Sequence, residues 1–137
     1  MKIRVIENQD FSENVKEKLL KLGSVTFLDK RKDETLDEIF RKYDVVWFRL
    51  AHKISTKYIN FSKAKVKFLV TPVTGLNHID LKSCEKYNIK VLSLKGETNF
   101  LKKIRATAEH TILLTLALLR KINYSSNSIL KGRWDRD

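Results

Sequence analysis

The sequence predicts an α/β protein: a parallel five-stranded sheet with flanking helices, followed by a long apolar helix. Three observations lead there. Short apolar runs alternate with amphipathic stretches along most of the 137 residues, the pattern of strand–helix–strand units whose parallel strands need crossover connections. That length suffices for about one domain with a core of its own. Beyond residue 102 the alternation gives way to a continuous stretch of good helix formers, apolar nearly all round between Ile112 and Leu119.

The elements follow in order. Apolar runs at residues 3–6, 25–28, 45–48, 68–70 and 89–93 read as strands. Between the first two, residues 11–22 carry Val15, Leu19 and Leu22 at helical spacing, and Gly23 follows as a stop signal. Residues 33–43 repeat the pattern with Leu36, Ile39 and Phe40 on one face. Residues 58–64 and 79–87 are expected to form shorter helices. Right-handed crossovers stack such helices on both sides of the sheet, giving a flavodoxin-like layer. The helix expected over residues 103–122 is too apolar for one sheet to cover, so part of its surface is expected against another domain or subunit. A short polar helix is expected after Tyr124.

Composition narrows the function classes. Apolar residues make up 42% and charged residues 32%, with a mean hydropathy of −0.34, which argues against disorder and against a membrane protein. The longest mostly apolar run, Ile112 to Leu119, falls far short of the roughly 20 residues a bilayer span needs. The first residues, MKIRVIENQD, have no apolar core of a secretory signal, and the lone Cys84 offers neither a disulfide nor a zinc cluster. A cytoplasmic location is the expectation. The formal charge of +12 invites a nucleic-acid reading, but the excess is mainly Lys and is spread over both halves of the chain. A solvated Lys-rich surface accounts for it, without the clustered Arg and exposed aromatics a nucleic-acid face calls for.

One loop carries chemistry. The strand Phe68–Val70 runs into Thr71, Pro72, Val73, Thr74 and Gly75, then Leu76, Asn77, His78, Ile79 and Asp80. Ligands of parallel sheets bind beyond the carboxyl ends of strands. A glycine there admits backbone amides to an anion, and Asn77 or Asp80 can cap the next helix. Arg49, at the carboxyl edge of another strand, would meet a carboxylate or phosphate.

Three stretches carry a family resemblance: Tyr-Asp-Val-Val-Trp-Phe-Arg-Leu-Ala-His-Lys-Ile-Ser at 43–55, Thr-Gly-Leu-Asn-His-Ile-Asp-Leu at 74–81, and Ala-Thr-Ala-Glu-His-Thr-Ile-Leu-Leu-Thr-Leu-Ala-Leu-Leu-Arg-Lys-Ile at 106–122, with Gly132, Trp134 and Arg136 after them. In this order and spacing they resemble the N-terminal portion of the D-isomer-specific 2-hydroxyacid dehydrogenases, the group that includes D-3-phosphoglycerate dehydrogenase. The resemblance implies that residues 1–100 are the N-terminal part of a substrate-binding domain. It makes residues 101–137 an interdomain and dimerisation helix and the start of a nucleotide-binding domain, the helix leading towards an absent Rossmann domain. It implies substrate contacts from Arg49, Leu50, Val73, Thr74 and Gly75, and contacts to a nicotinamide cofactor from Thr74 and Thr107. The implied partners are a small 2-hydroxy or 2-oxo acid and a second copy joined through residues 103–122. NAD belongs to the full-length family, but the glycines here, Gly23, Gly75, Gly96 and Gly132, lie at least 21 positions apart. They make no Gly-x-Gly-x-x-Gly phosphate turn, so no tight NAD binding by this chain is expected. The family's catalytic Arg, Glu and His follow that turn, and no residue here matches them. The expected chain is a truncated oxidoreductase, inactive alone. The alternative is a stand-alone flavodoxin-like module that binds an anion or nucleic acid.

Other single residues read as structural. Glu109 and His110 are successive on a helix and do not face one another as a catalytic pair. His52 and His78 read as surface or cap residues, and the three histidines lack metal-ligand spacing. Cys84 reads as a small buried hydrophobe, Trp47 as core, and Trp134 as a tail residue open to solvent.

Overall fold

A computed structural model describes residues 1–7, 11–27 and 34–134. The chain divides into two units, Met1–Gly96 and Glu97–Asp137. The first holds β1 (Lys2–Val5), α1 (Glu13–Leu22), β2 (Ser24–Phe27), α2 (Leu36–Lys42), β3 (Val45–Trp47), a 3₁₀ turn at Phe61–Lys63, β4 (Phe68–Val70), α3 (Leu81–Lys86) and β5 (Lys90–Leu92). All the described strand pairs are parallel and the order is β2-β1-β3-β4-β5. This is the flavodoxin-like order, in which the strand sequence reverses direction between β1 and β3.

Period-two alternation assigns the two faces of the sheet. Ile6, Val46, Phe48 and Leu69 point to one side, where they join Ile39, Phe40 and Tyr43 of the α2 region, Phe61 and Cys84 in the larger core cluster. Ile3, Val5 and Val45 point to the other, against Phe11, Leu19, Val25, Phe27 and Trp47. A capping box starts α2: the Glu38 N–H donates to Thr35 Oγ1 and the Thr35 N–H to the Glu38 carboxylate. At Gly23 a Cβ would lie 2.2 Å from the Met1 carbonyl oxygen. Glycine is therefore required for steric room where β2 begins. The sheet also buries a cation. Arg4 is 1% exposed, donates to the Phe27 carbonyl at 2.9 Å and pairs with Glu34 at 3.0 Å.

Several expected boundaries move. The helix expected at 58–64 is reduced to the 3₁₀ turn, because Tyr58 and Ile59 both donate to the Ser55 carbonyl and the Asn60 N–H donates to Asp37 at 2.7 Å. These bonds hold the segment to α2 as successive turns. The helix expected at 79–87 begins only at Leu81, since Ile79 forms a bridge with Ile54. Asp80 caps it, accepting from the Ser83 N–H at 3.0 Å. Leu28 and Asp33, the expected limits of a strand and a helix, lie outside the described residues, as does Arg136.

The second unit contains α4 (Thr98–Leu101), α5 (Ala106–Leu119) and α6 (Ile122–Leu130). The continuous helix expected at 103–122 is thus shorter at both ends. Its C-terminal limit is set at Lys121, whose φ of 49° is left-handed and takes the chain out of the α5 hydrogen-bond ladder before α6 starts. α6 begins at Ile122, ahead of the polar stretch expected to form it. At four residues, α4 is too short to show a helical period in the sequence. No residue of α5 is buried within this chain: Ile112, Leu113, Leu114, Leu116, Leu118 and Leu119 are between 50% and 79% exposed. No described helix is long and apolar enough to cross a membrane.

Candidate functional site

The carboxyl ends of β1, β3 and β4 emerge side by side, because the ladder continues one residue past each strand. The Ile6 N–H donates to the Trp47 carbonyl at 3.0 Å, Phe48 N–H to Val70 at 3.1 Å and Thr71 N–H to Leu92 at 2.9 Å. The following residues are therefore Glu7, Arg49–His52 and Pro72–Gly75, on three adjacent segments.

Glu7 organises the first two. One carboxylate oxygen accepts from the Leu50 N–H at 3.2 Å. The other accepts from the Ala51 N–H at 3.2 Å and faces His52 Nδ1 at 2.8 Å. The Glu7 side chain is 15% exposed. Burial raises its pKa, but the bonds from His52 and from the loop's backbone outweigh it and hold the carboxyl below its ordinary value. An ionised carboxylate thus sits at the reversal of strand order, cradled by the loop that follows β3.

The β3 and β4 loops are tied together. Thr71 Oγ1 meets the Arg49 carbonyl oxygen at 3.5 Å. The Ile54 N–H donates to the His78 carbonyl and the Asp80 N–H to the Ile54 carbonyl, each at 2.8 Å. On its far side the β4 turn is fixed by the Leu94 N–H, which donates to the Val73 carbonyl at 3.1 Å. Within that turn the amides of Val73, Thr74 and Gly75 meet no acceptor among the described residues. A Cβ on Gly75 would find nothing within 4 Å. Gly75 therefore opens onto space at the sheet's carboxyl edge, and its φ lies outside the left-handed region.

Of the residues expected in the site, Arg49, Leu50, Val73, Thr74 and Gly75 lie on these two neighbouring loops, with Arg49, Leu50, Thr74 and Gly75 exposed. Thr107 belongs to the second unit, in the first turn of α5, where its carbonyl accepts from Thr111 Oγ1 at 2.8 Å. Cys84 is 1% exposed; burial, aided by the nearby Asp80 charge, pushes its thiol up to about 11, which suits a packing role. Trp47 is half-buried, with its ring edge-on to Phe11 at 5.2 Å, and Trp134 is 72% exposed. No group of three or more metal-ligating side chains gathers among the described residues. A surface hollow of about 550 Å³ lined by Asp37, Tyr58, Phe61 and Tyr87 includes none of the expected site residues. Its aromatic wall, Phe61 stacked on Tyr87, serves packing.

Sequence reasoning missed Glu7 and read His52 as a cap or surface residue. The one local signal for Glu7 is an acid directly after the first strand, where a parallel sheet presents its ligand-binding edge.

Taken together, the 2-1-3-4-5 sheet and the loops at its carboxyl edge define a doubly wound α/β domain. The chain belongs to the D-isomer specific 2-hydroxyacid dehydrogenases, whose catalytic-domain sequence model matches residues 4–131. It is 29% identical over 105 residues to a D-3-phosphoglycerate dehydrogenase of Archaeoglobus fulgidus, covering 77% of this chain and 19% of that protein. It is 28% identical over 100 residues to the enzyme of the same name from Synechocystis sp., covering 72% and 17%. The chain thus spans less than a fifth of the length of these curated relatives. In fold it matches the D-lactate dehydrogenase of Aquifex aeolicus, solved with NAD and lactic acid, with a TM-score of 0.76 and 21% identity over all of this chain and 39% of the other. The NAD-bound 3-phosphoglycerate dehydrogenase of Entamoeba histolytica is 28% identical at a TM-score of 0.52, over 68% of this chain and 32% of that one.

Proposed function

We propose that this chain is the substrate-binding portion of an NAD-dependent D-2-hydroxyacid dehydrogenase of the phosphoglycerate dehydrogenase type. The observation that carries the reading is the open Gly75 turn, whose amides meet no acceptor among the described residues, beside the Arg49 loop, in a chain of this family. The turn's amides hold the substrate carboxylate, and Arg49 adds a cation from β3. Leu50 borders the same ligand.

In the complete enzyme a nicotinamide cofactor, held by a domain other than this chain, would supply hydride chemistry at the substrate's C2. Thr74 and Thr107 are the residues assigned to touch that cofactor. A glycine-rich phosphate cradle is absent from the sequence, so the residues present do not fit the pyrophosphate of a dinucleotide. The chain alone binds acid and leaves redox chemistry to a further domain. Two copies associate through residues 103–122, where α5 exposes a row of leucines suited to a closed two-fold pair.

The test is an amide NMR titration with sulfate and with a small carboxylate. Shifts centred on Val73–Gly75 with millimolar affinity are expected, since half a cleft leaves the ligand solvated on one side. Gly75→Val fills the approach without imposing a forbidden φ and is expected to abolish those shifts while leaving the fold intact. Shifts scattered over lysine-bearing helices and unchanged by the substitution would refute the assignment.

A further inference from the structure

Lysines that the sequence scatters are gathered by the fold at the amino edge of the sheet, the edge opposite the Val73–Gly75 turn. Lys65 and Lys67 lie on the segment that leads into β4, and Lys90 opens β5. The parallel register sets Lys90 beside Phe68, and the Lys90 N–H donates to the Lys67 carbonyl at 2.9 Å. With Tyr87 and Asn88 from the end of α3, these lysines line a surface hollow of about 360 Å³, the size of a small-ligand site.

Side chains are what this hollow offers a ligand, because the backbone amides of its lining are already taken. Those of Lys65 and Val66 donate to the Phe40 carbonyl, those of Lys67 and Phe68 to Asp44, and those of Tyr87 and Asn88 to Ser83 and Glu85. The donors left over are chiefly ammonium groups. Lys65 pairs with Asp44 at 3.1 Å, whose carboxylate also accepts from the Lys2 N–H at 2.6 Å. Lys67 and Lys90 are exposed, and neither has an acidic partner among the described residues. Lys86, in the last turn of α3, offsets the negative end of that short helix, and its Nζ stands 5.4 Å from the centroid of the Tyr87 ring. Neighbouring ammonium groups without acids match a multiply charged anion, and a lysine meets a phosphoryl group as a compact point charge.

We propose that this hollow is a second anion site, which takes a small molecule bearing a phosphate ester or pyrophosphate group whose phosphoryl oxygens meet Lys67 and Lys90. It lies at the other edge of the sheet from the carboxylate site and does not depend on the reading of that turn.

The experiment is an amide NMR titration of the isotopically labelled chain with inorganic pyrophosphate and with methyl phosphate, against acetate at the same ionic strength. Both phosphates are expected to shift residues 64–68 and 87–90. Pyrophosphate is expected to bind there with about millimolar affinity, about fivefold more tightly than acetate, as exposed ion pairs allow. Lys67→Gln and Lys90→Gln are each expected to weaken pyrophosphate about threefold, and the two together to remove the localised shifts. Removing the same charge elsewhere, with Lys18→Gln and Lys131→Gln at two exposed positions, is expected to leave the binding unchanged. Gly75→Val is likewise expected to leave it unchanged. Shifts scattered over the whole surface, equal affinity for acetate, or an equal loss in the Lys18/Lys131 pair would each show attraction to the net charge only and overturn the proposal. Loss of the pyrophosphate shifts in Gly75→Val would overturn it as a separate site. Loss of the Val73–Gly75 shifts alone would leave it standing.

Discussion

Replacing Glu7 with Gln tests whether a carboxylate at the strand-order reversal holds the β3 loop. The native group accepts from two backbone amides at 3.2 Å and faces His52 Nδ1 at 2.8 Å. A Gln of the same shape has one acceptor oxygen, so its NH₂ must confront at least one of these donors. The two amide bonds are long and partly open to water, worth roughly 0.5 kcal/mol each, and the shorter charge-assisted bond about 1.5 kcal/mol. With the carboxylate's desolvation set against them, a net loss of about 1.5 to 2 kcal/mol is expected at pH 7. For a chain of this size that lowers the melting temperature by about 6 to 8 °C. The pH dependence has a definite sign. Because the folded-state pKa of Glu7 lies below its ordinary value, the stabilisation is full above the unfolded carboxylate's pKa and disappears as pH falls through the folded one. Asp44 and Asp80, also held low by hydrogen bonds, are present in both proteins and cancel in the difference. Thermal melts followed by circular dichroism from pH 7 to pH 3 are therefore expected to show two curves that converge on acidification. A gap unchanged at pH 3 would trace the loss to packing, and no gap at pH 7 would refute the cradle.

Three other outcomes follow from the same geometry. With its pKa near 11, Cys84 is about one-thousandth thiolate at pH 8, so a thiol reagent is expected to label the native chain at least a hundredfold more slowly than the denatured one; rapid native labelling would contradict its burial. The unmodified chain is expected to sediment as a dimer at micromolar concentration and Leu116→Glu as a folded monomer; a well-folded monomer for the unmodified chain would refute pairing through residues 103–122. NAD is expected to bind no better than about millimolar, since the missing pyrophosphate cradle removes several charge-assisted hydrogen bonds; a micromolar constant by calorimetry would overturn that reading.

What the sequence made legible depended on how far apart the interacting residues lie. Each strand is a self-contained apolar run, so the parallel sheet could be read from local pattern. The Thr71–Gly75 turn was visible because proline and glycine mark a strand's end in the chain itself. Helix ends were less legible. Lys121 breaks the α5–α6 path at a left-handed φ without the glycine that ordinarily signals one, so helix propensity ran straight through it. The short segment at 58–64 was decided by Asp37, a partner more than twenty positions away. Glu7 is the extreme case: its three donors lie 43 to 45 positions along the chain, and no spacing rule links them. A parallel sheet makes this general, because every crossover returns the chain to the same edge and gathers there residues from unrelated parts of the sequence. Turn chemistry at that edge is local and can be read in advance. The partner that orients it arrives with another strand, which is why the Thr71–Gly75 turn is legible in the sequence and the Glu7–His52 contact only in the fold.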